Sequence, residues 1–129
     1  MSEPQRVAYV RGKIVAICLA ILWEDMEAIP GACILTKLRY DLLPDGVTGW
    51  IERDEDFDAF VGICSETDHL PIGFERRNWS AEALAEKDPE VIEAERWAKE
   101  IAKPACKKLI ERFAKPADDY SLPAFLFEG

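Results

Sequence analysis

The sequence predicts an all-α fold, an irregular or orthogonal bundle of about five helices around a buried central helix. Two observations support this prediction. Apolar residues recur with the 3.6-residue spacing of helices in four segments, and proline and glycine fall between the segments. The chain has 129 residues, of which 49% are hydrophobic, and this is enough for one domain, residues 1–129, with its own core.

The first helix is predicted over residues 7–26, a run too long for one strand. Its segment 14–23 is apolar on nearly all sides, so we expect it to be the buried central helix. Pro30 and Gly31 are expected to separate it from a second helix over residues 32–43.

The next turn is predicted at residues 44–46, where the sequence reads Pro-Asp-Gly, and a loop is predicted over residues 47–51. A third helix is predicted to begin in the acidic residues 54–56, because carboxylates complement the dipole of a helix N-terminus, and to end near residue 64. The residues expected to face inward are Phe57, Phe60, Val61 and Cys64.

Residues 65–78 are predicted to form a long irregular connection, and such connections are often functional. A short helix is predicted over residues 80–87, and Asp88-Pro89 predicts the start of the longest helix, which ends near Ala114. Pro104 is expected to kink or split it near Glu100. The residues expected to be buried are Val91, Ala94, Trp97, Ile101, Ala105, Leu109 and Phe113. The apolar tail, residues 122–127, is expected to pack on the bundle or on a partner.

The cysteine pattern predicts free thiols. Cys18, Cys33, Cys64 and Cys106 contain no CxxC pair, and most of them lie in apolar stretches, as buried thiols do in a reducing cytoplasm. The apolar run 14–23 has about half the length of a membrane span, and acids follow it where a signal peptide needs small residues. We therefore expect a cytoplasmic protein without a membrane segment.

The negative charge is concentrated in the middle of the chain. Residues 44–100 hold 16 acids and 6 bases, whereas the flanking segments are nearly balanced and the whole chain carries a net charge of −9. Such a surface repels nucleic acids and attracts cationic partners. The sequence therefore predicts a basic protein partner, with Trp79 as an anchor, and the residues expected to contact it are Asp54, Glu55, Asp56, Asp58, Glu66, Asp68, His69 and Trp79.

Two motifs with possible chemistry were considered. Asp54-x-Asp56-x-Asp58 resembles the opening of a calcium loop, but Ala59 and Ser65 stand where glycine and glutamate are needed, so no metal or cofactor is predicted. His69 is the only histidine, which excludes a histidine-rich zinc site. The loop of residues 65–69 still combines a hydroxyl, a carboxylate and an imidazole, so a small enzyme or ligand-binding domain is the alternative prediction.

Two segments also carry a resemblance. FVGICSETDHLP at residues 60–71 and NWSAEALA at residues 78–85 resemble the signature of a family of short uncharacterised bacterial proteins. The resemblance extends over roughly residues 14–113. It implies a bacterial cytoplasmic protein with a discrete fold, and it implies no catalytic residues.

The function expected from these observations is that of a non-enzymatic acidic binding protein. An immunity or antitoxin-type inhibitor that covers the basic active cleft of a toxin, such as a nuclease, is the form expected by analogy with other small acidic helical bacterial proteins. The sequence leaves the partner and the oligomeric state open.

Overall fold

In a computed structural model of the protein, residues 2–42 and 54–114 are described, and these residues form α-helices and 3-10 helices without a strand. The four α-helices are α1 (Glu3–Leu22), α2 (Ala28–Asp41), α3 (Asp58–Glu66) and α4 (Ala81–Phe113), and 3-10 helices cover Glu55–Phe57 and Gly73–Asn78. The all-α prediction is confirmed. The described residues contain four α-helices rather than about five.

Helix α1 begins earlier than predicted because Ser2 and Gln5 form a capping box. The Ser2 hydroxyl accepts a hydrogen bond from the Gln5 backbone N at 3.3 Å, and the Gln5 side chain accepts one from the Ser2 N at 2.9 Å. One face of α1 is buried, through Val10, Ile14, Val15, Cys18 and Ile21. Trp23, by contrast, is 53% exposed. The prediction of a helix buried on nearly all sides is therefore wrong.

Helix α2 includes the Pro30-Gly31 pair that was expected to precede it. Pro30 is the third residue of the helix, where its missing N–H costs no intrahelical hydrogen bond. Gly31 packs against Ile21 of α1 so closely that an added Cβ would lie 2.6 Å from the Ile21 Cδ1. The glycine therefore allows close packing rather than ending a helix.

Residues 65–78 contain more regular structure than predicted. Helix α3 continues to Glu66, and a 3-10 helix follows at Gly73–Asn78, begun by Gly73 with φ of 63°. The predicted burial of Phe57 and Phe60 is confirmed, whereas Ile63 is the third buried side chain instead of Cys64.

Helix α4 runs unbroken through both of its inner prolines. The predicted boundary at Asp88-Pro89 is wrong, because Ser80 caps the whole helix by accepting a hydrogen bond from the Ala83 N at 3.1 Å. Pro89 and Pro104 are exposed, and so are Ala85 and Glu100. The backbone carbonyls of Ala85 and Glu100 receive no helical hydrogen bond, because the prolines four residues later have no N–H. Water can hydrogen-bond those carbonyls, which lowers the cost of an interior proline.

The buried face of α4 differs from the predicted face by about one position. Leu109 and Phe113 are buried as predicted, but Trp97 is 41% exposed. Small residues lie on the buried face instead, namely Ala98, Ala102 and Cys106. Helix α1 runs antiparallel along this face, since Arg11 lies beside Arg112 and Glu24 beside Lys99. The small side chains allow the two helices to approach closely.

The cysteines divide into two pairs. Cys18 of α1 and Cys106 of α4 are buried free thiols, as predicted. Cys33 of α2 and Cys64 of α3 form a disulfide with a Cα–Cα distance of 5.1 Å, so the prediction of free thiols is wrong for them. The two residues are 31 positions apart in the chain, and only the packing of α2 against α3 brings them together.

Three predictions concern residues outside the described part of the chain. They are the turn at residues 44–46, the loop over residues 47–51, which includes Trp50, and the packing of residues 122–127. Within the described part, no helix is both long enough and apolar enough to cross a membrane.

Candidate functional site

All of the predicted contact residues except Trp79 lie in two groups, at the two ends of α3. Asp54, Glu55 and Asp56 precede the helix, and Asp58 is its first residue. Glu66 is its last residue, and Asp68 and His69 follow it. Nine residues of helix, about 13 Å, separate the two groups.

In the group at the start of α3, Asp54 and Asp56 are paired within the protein. The Asp54 side chain accepts a hydrogen bond from the Asp56 N at 3.1 Å and begins the 3-10 helix. The Arg112 Nη1 lies 3.0 Å from both carboxylate oxygens of Asp54 and 2.9 Å from the Asp56 Oδ2. These hydrogen bonds, with Asp54 first, raise the pKa of Arg112 against the opposing effect of partial burial.

Arg112 therefore joins the end of α4 to the start of α3. Its guanidinium also lies 4.6 Å from the centre of the Phe113 ring, and the Arg11 guanidinium lies 4.7 Å from the same centre. Phe113 in turn packs against Phe57, with ring centres 6.2 Å apart. Asp54 and Asp56 thus take part in holding the fold together and present less negative charge to a partner than the sequence predicted.

The group after α3 is open to solvent. Glu66, Asp68 and His69 are exposed, and the His69 Nε2 lies 3.4 Å from the Glu90 Oε1 of α4. The Lys87 Nζ lies 3.3 Å from the other oxygen of Glu90. The hydrogen bonds from His69 and then from Lys87 lower the pKa of Glu90.

Acidic residues of α4 extend this group. Glu82 and Glu86 lie two turns and one turn before Glu90 on the same helical face, so they continue the surface that starts at His69. We call Glu66, Asp68, Glu82 and Glu86 the acidic end. All four are exposed, and within residues 2–42 and 54–114 none of them forms an ion pair with lysine or arginine.

The connection between α3 and α4 is held in place by Arg76. Its Nη1 donates to the Asp88 Oδ1 at 2.9 Å and to the Pro71 carbonyl at 3.2 Å. Trp79 ends the 3-10 helix and stands directly before the Ser80 cap of α4. Its side chain is half-buried, so part of the indole remains open to solvent.

Ser65 and His69 do not form a nucleophile–base pair. Ser65 lies exposed in the last turn of α3, and in the described part of the chain His69 bonds to Glu90 and not to Ser65. The His69 side chain is 57% exposed, so the surroundings do not exclude water from it. Among the described residues, no group of three or more His, Cys, Asp or Glu side chains is arranged to hold a metal ion.

Sequence analysis did not identify a cleft of about 280 Å³ at the turn between α1 and α2. Ile21, Met26 and Ala28 supply apolar walls, and Glu27, Glu95 and Lys99 supply charge. The Glu95 carboxylate accepts hydrogen bonds from the backbone N–H groups of Ala28 and Ile29, the latter at 3.0 Å. Partial burial raises the pKa of Glu95.

Glu95 thus caps α2, since the Glu27 side chain at the N-cap position makes no capping hydrogen bond. Glu24, on the rim of the cleft, has a φ of 64° and pairs with Lys99 and Lys103. About 70 positions separate the two halves of the cleft in the chain, so no local motif could reveal it.

Comparisons of the chain with family models, with curated proteins and with solved structures found no match.

Proposed function

We propose that this protein is a non-enzymatic binding protein whose acidic end recognises a basic protein. The observation that supports this most directly is that the ion-paired carboxylates and the unpaired ones lie at different places in the protein. Asp54 and Asp56 are paired with Arg112, whereas Glu66, Asp68, Glu82 and Glu86 lie together without a described ion pair. Keeping like charges together on one surface raises the free energy of the fold, and a cationic partner relieves that repulsion.

More specifically, we propose that the protein is an immunity or antitoxin-type inhibitor. An enzyme that acts on a polyanion, such as a nuclease, has a basic active cleft, and a rigid acidic surface can cover such a cleft. Trp79, half-buried between the 3-10 helix and the Ser80 cap of α4, supplies the apolar anchor of this surface. The proposal also includes a cytoplasmic location, and it excludes nucleic acid as a partner because an acidic surface repels a polyanion.

The test compares two charge reversals of equal size. Glu66→Lys with Asp68→Lys changes the acidic end, and Glu3→Lys with Glu111→Lys changes two exposed acids elsewhere on the bundle. Wild type and both variants are used to capture proteins from the native host, and the association rate of any captured basic protein is then measured at several salt concentrations. We expect the acidic-end variant to associate at least about ten-fold more slowly at low salt and with a smaller salt dependence, because electrostatic steering acts on association.

The control variant should bind at the wild-type rate. If both variants behave alike, net charge alone governs association and the acidic end is not a recognition surface. If the wild type captures no basic protein, the inhibitor proposal is wrong.

The alternative function is a small enzyme or ligand-binding domain that uses residues 65–69. Glu90 is placed to orient the His69 ring, which is one part of a general-base arrangement. A screen of small esters and phosphoesters with wild type and His69→Ala tests this alternative. Turnover that the substitution abolishes would favour it over the binding protein.

A further inference from the structure

The two cysteine pairs have opposite environments. Cys33 and Cys64 are joined by a disulfide, and both residues are partly exposed. Cys18 and Cys106 are free thiols with 0% exposure. A hydrogen bond with Cys106, followed by burial, raises the pKa of Cys18 far above its ordinary value. Because the thiolate is the reactive form of cysteine, both the burial and this shift protect the inner pair from reagents.

We infer that the Cys33–Cys64 disulfide is a site of reversible thiol–disulfide exchange with a glutathione-type thiol, and that Cys18 and Cys106 remain reduced throughout. The exchange reconciles a disulfide on the surface with the reducing compartment proposed above, because the bond would form only when the glutathione pool becomes oxidised.

The chemistry needs only the small thiol and its disulfide. A thiolate of the small thiol attacks one cysteine sulfur, which forms a mixed disulfide and releases the other cysteine as a thiolate that takes up a proton. A second small thiolate attacks the mixed disulfide, frees the remaining cysteine and leaves as part of the small disulfide. Two electrons pass from the two small thiols to the protein, and the reverse steps form the bond again.

The element that responds to the exchange is α3. With nine residues it is too short to be stable on its own, so its position depends on its buried Phe60 and Ile63 and on the bond to α2. Reduction removes the covalent link and leaves the apolar contacts. Helix α3 should then open more often, whereas α1 and α4 keep their shared face.

The test uses the full chain, equilibrated in glutathione buffers of increasing oxidised fraction. Thiols are alkylated with iodoacetamide under native conditions, a second alkylating label is added after denaturation, and peptides are identified by mass spectrometry. In reduced glutathione, Cys33 and Cys64 should take the native label. In oxidised glutathione they should form the disulfide, and in both buffers Cys18 and Cys106 should take only the second label.

Hydrogen exchange in the same buffers measures the conformational response. Reduction should accelerate exchange of the α3 amides by about 100-fold, as expected for loss of a native disulfide. The central amides of α4 exchange only when the whole fold opens, so they should remain slower than the α3 amides in both buffers. Cys33→Ser with Cys64→Ser is the matched control, and its α3 should exchange quickly in both buffers. If this variant does not fold, comparing the α3 exchange rates of the wild type in the two buffers still tests the inference.

Three results would overturn the inference. Cys33 and Cys64 could take the native label even in oxidised glutathione, which would show that the bond does not form. The bond could persist in reduced glutathione until denaturant is added, which would make it a permanent link. Helix α3 could exchange at the same rate in both buffers, which would show that the bond does not control its opening.

Discussion

Gly31 and Gly62 are both helical glycines, but their surroundings differ completely. A Cβ at Gly31 would lie 2.6 Å and 2.9 Å from side-chain atoms of Ile21 and 3.2 Å from the Met26 sulfur. A Cβ at Gly62 would have nothing within 4 Å. The same substitution should therefore have opposite effects at these two positions.

We expect Gly31→Ala to lower the free energy of unfolding by about 1–2 kcal/mol, because overpacking at α1 exceeds the gain in helix propensity. Gly62→Ala, the control, should raise it by roughly 0.5–1 kcal/mol. Urea titrations followed by circular dichroism measure both. A stabilised Gly31→Ala variant would mean that Ile21 moves aside at no cost and that the contact between α1 and α2 is loose.

At Glu95 the raised pKa predicts a dependence of stability on pH. A carboxyl group with a higher pKa in the folded state stabilises the protein most below its ordinary pKa of 4.5, and this contribution is lost as pH rises through the higher, folded value. A glutamine side chain at this position would not titrate but would keep one acceptor for the α2 amides. We therefore expect Glu95→Gln to gain stability relative to wild type as pH rises above 4.5.

Thermal melts of wild type and Glu95→Gln across the acidic pH range check this sign. Glu100→Gln, an exposed position on the same helix, is the control variant. A constant difference between Glu95→Gln and wild type at all pH values would show that the pKa of Glu95 is the same in the folded and unfolded states.

At the scale of the helices, Arg112 connects the end of α4 with the start of α3. Replacing it with methionine removes the hydrogen bonds to Asp54 and Asp56 and the contact with the Phe113 ring. Because the Arg112 side chain is 42% exposed, solvent weakens these interactions, and we expect a loss of roughly 1–2 kcal/mol.

Chemical denaturation of Arg112→Met and of the control Lys108→Met tests this connection. Asp54→Asn with Asp56→Asn, alone and combined with Arg112→Met, completes a double-mutant cycle, in which the effects should not be additive. If the effects simply add, the aspartates and Arg112 act independently, and α3 is held by its apolar contacts and its disulfide to α2.

For the molecule as a whole, the net charge of −9 predicts how stability depends on salt. Salt screens the repulsion among the acids, which stabilises the protein, and it also weakens the few exposed ion pairs, which destabilises it. The first effect should be larger, because each exposed ion pair contributes only about 0–1 kcal/mol. We expect the Tm to rise with sodium chloride up to about 0.3 M, beyond which screening is nearly complete.

Differential scanning calorimetry at constant pH measures this dependence. The Glu66→Lys with Asp68→Lys variant, with a less negative acidic end, should show a smaller rise in Tm. A Tm that falls with salt would mean that the ion pairs of α4 stabilise the protein by more than the repulsion at the acidic end destabilises it.

The helical fold class, the inward position of Phe57, Phe60, Leu109 and Phe113, and the burial of Cys18 and Cys106 could be predicted from the sequence. These features depend on local apolar spacing, which a sequence displays directly. Tertiary structure alone decided the continuity of α4 through two prolines, because the exposure of the freed carbonyls sets the cost of each proline.

Tertiary structure also decided the candidate site. Arg112 neutralises Asp54 from 58 positions away, Glu95 caps a helix 67 positions before it, and Cys33 bonds to Cys64 across 31 positions. The charge count identified an acidic segment but could not distinguish its paired carboxylates from its unpaired ones. Pairing depends on which helix ends meet in space, and no local pattern in the chain encodes that.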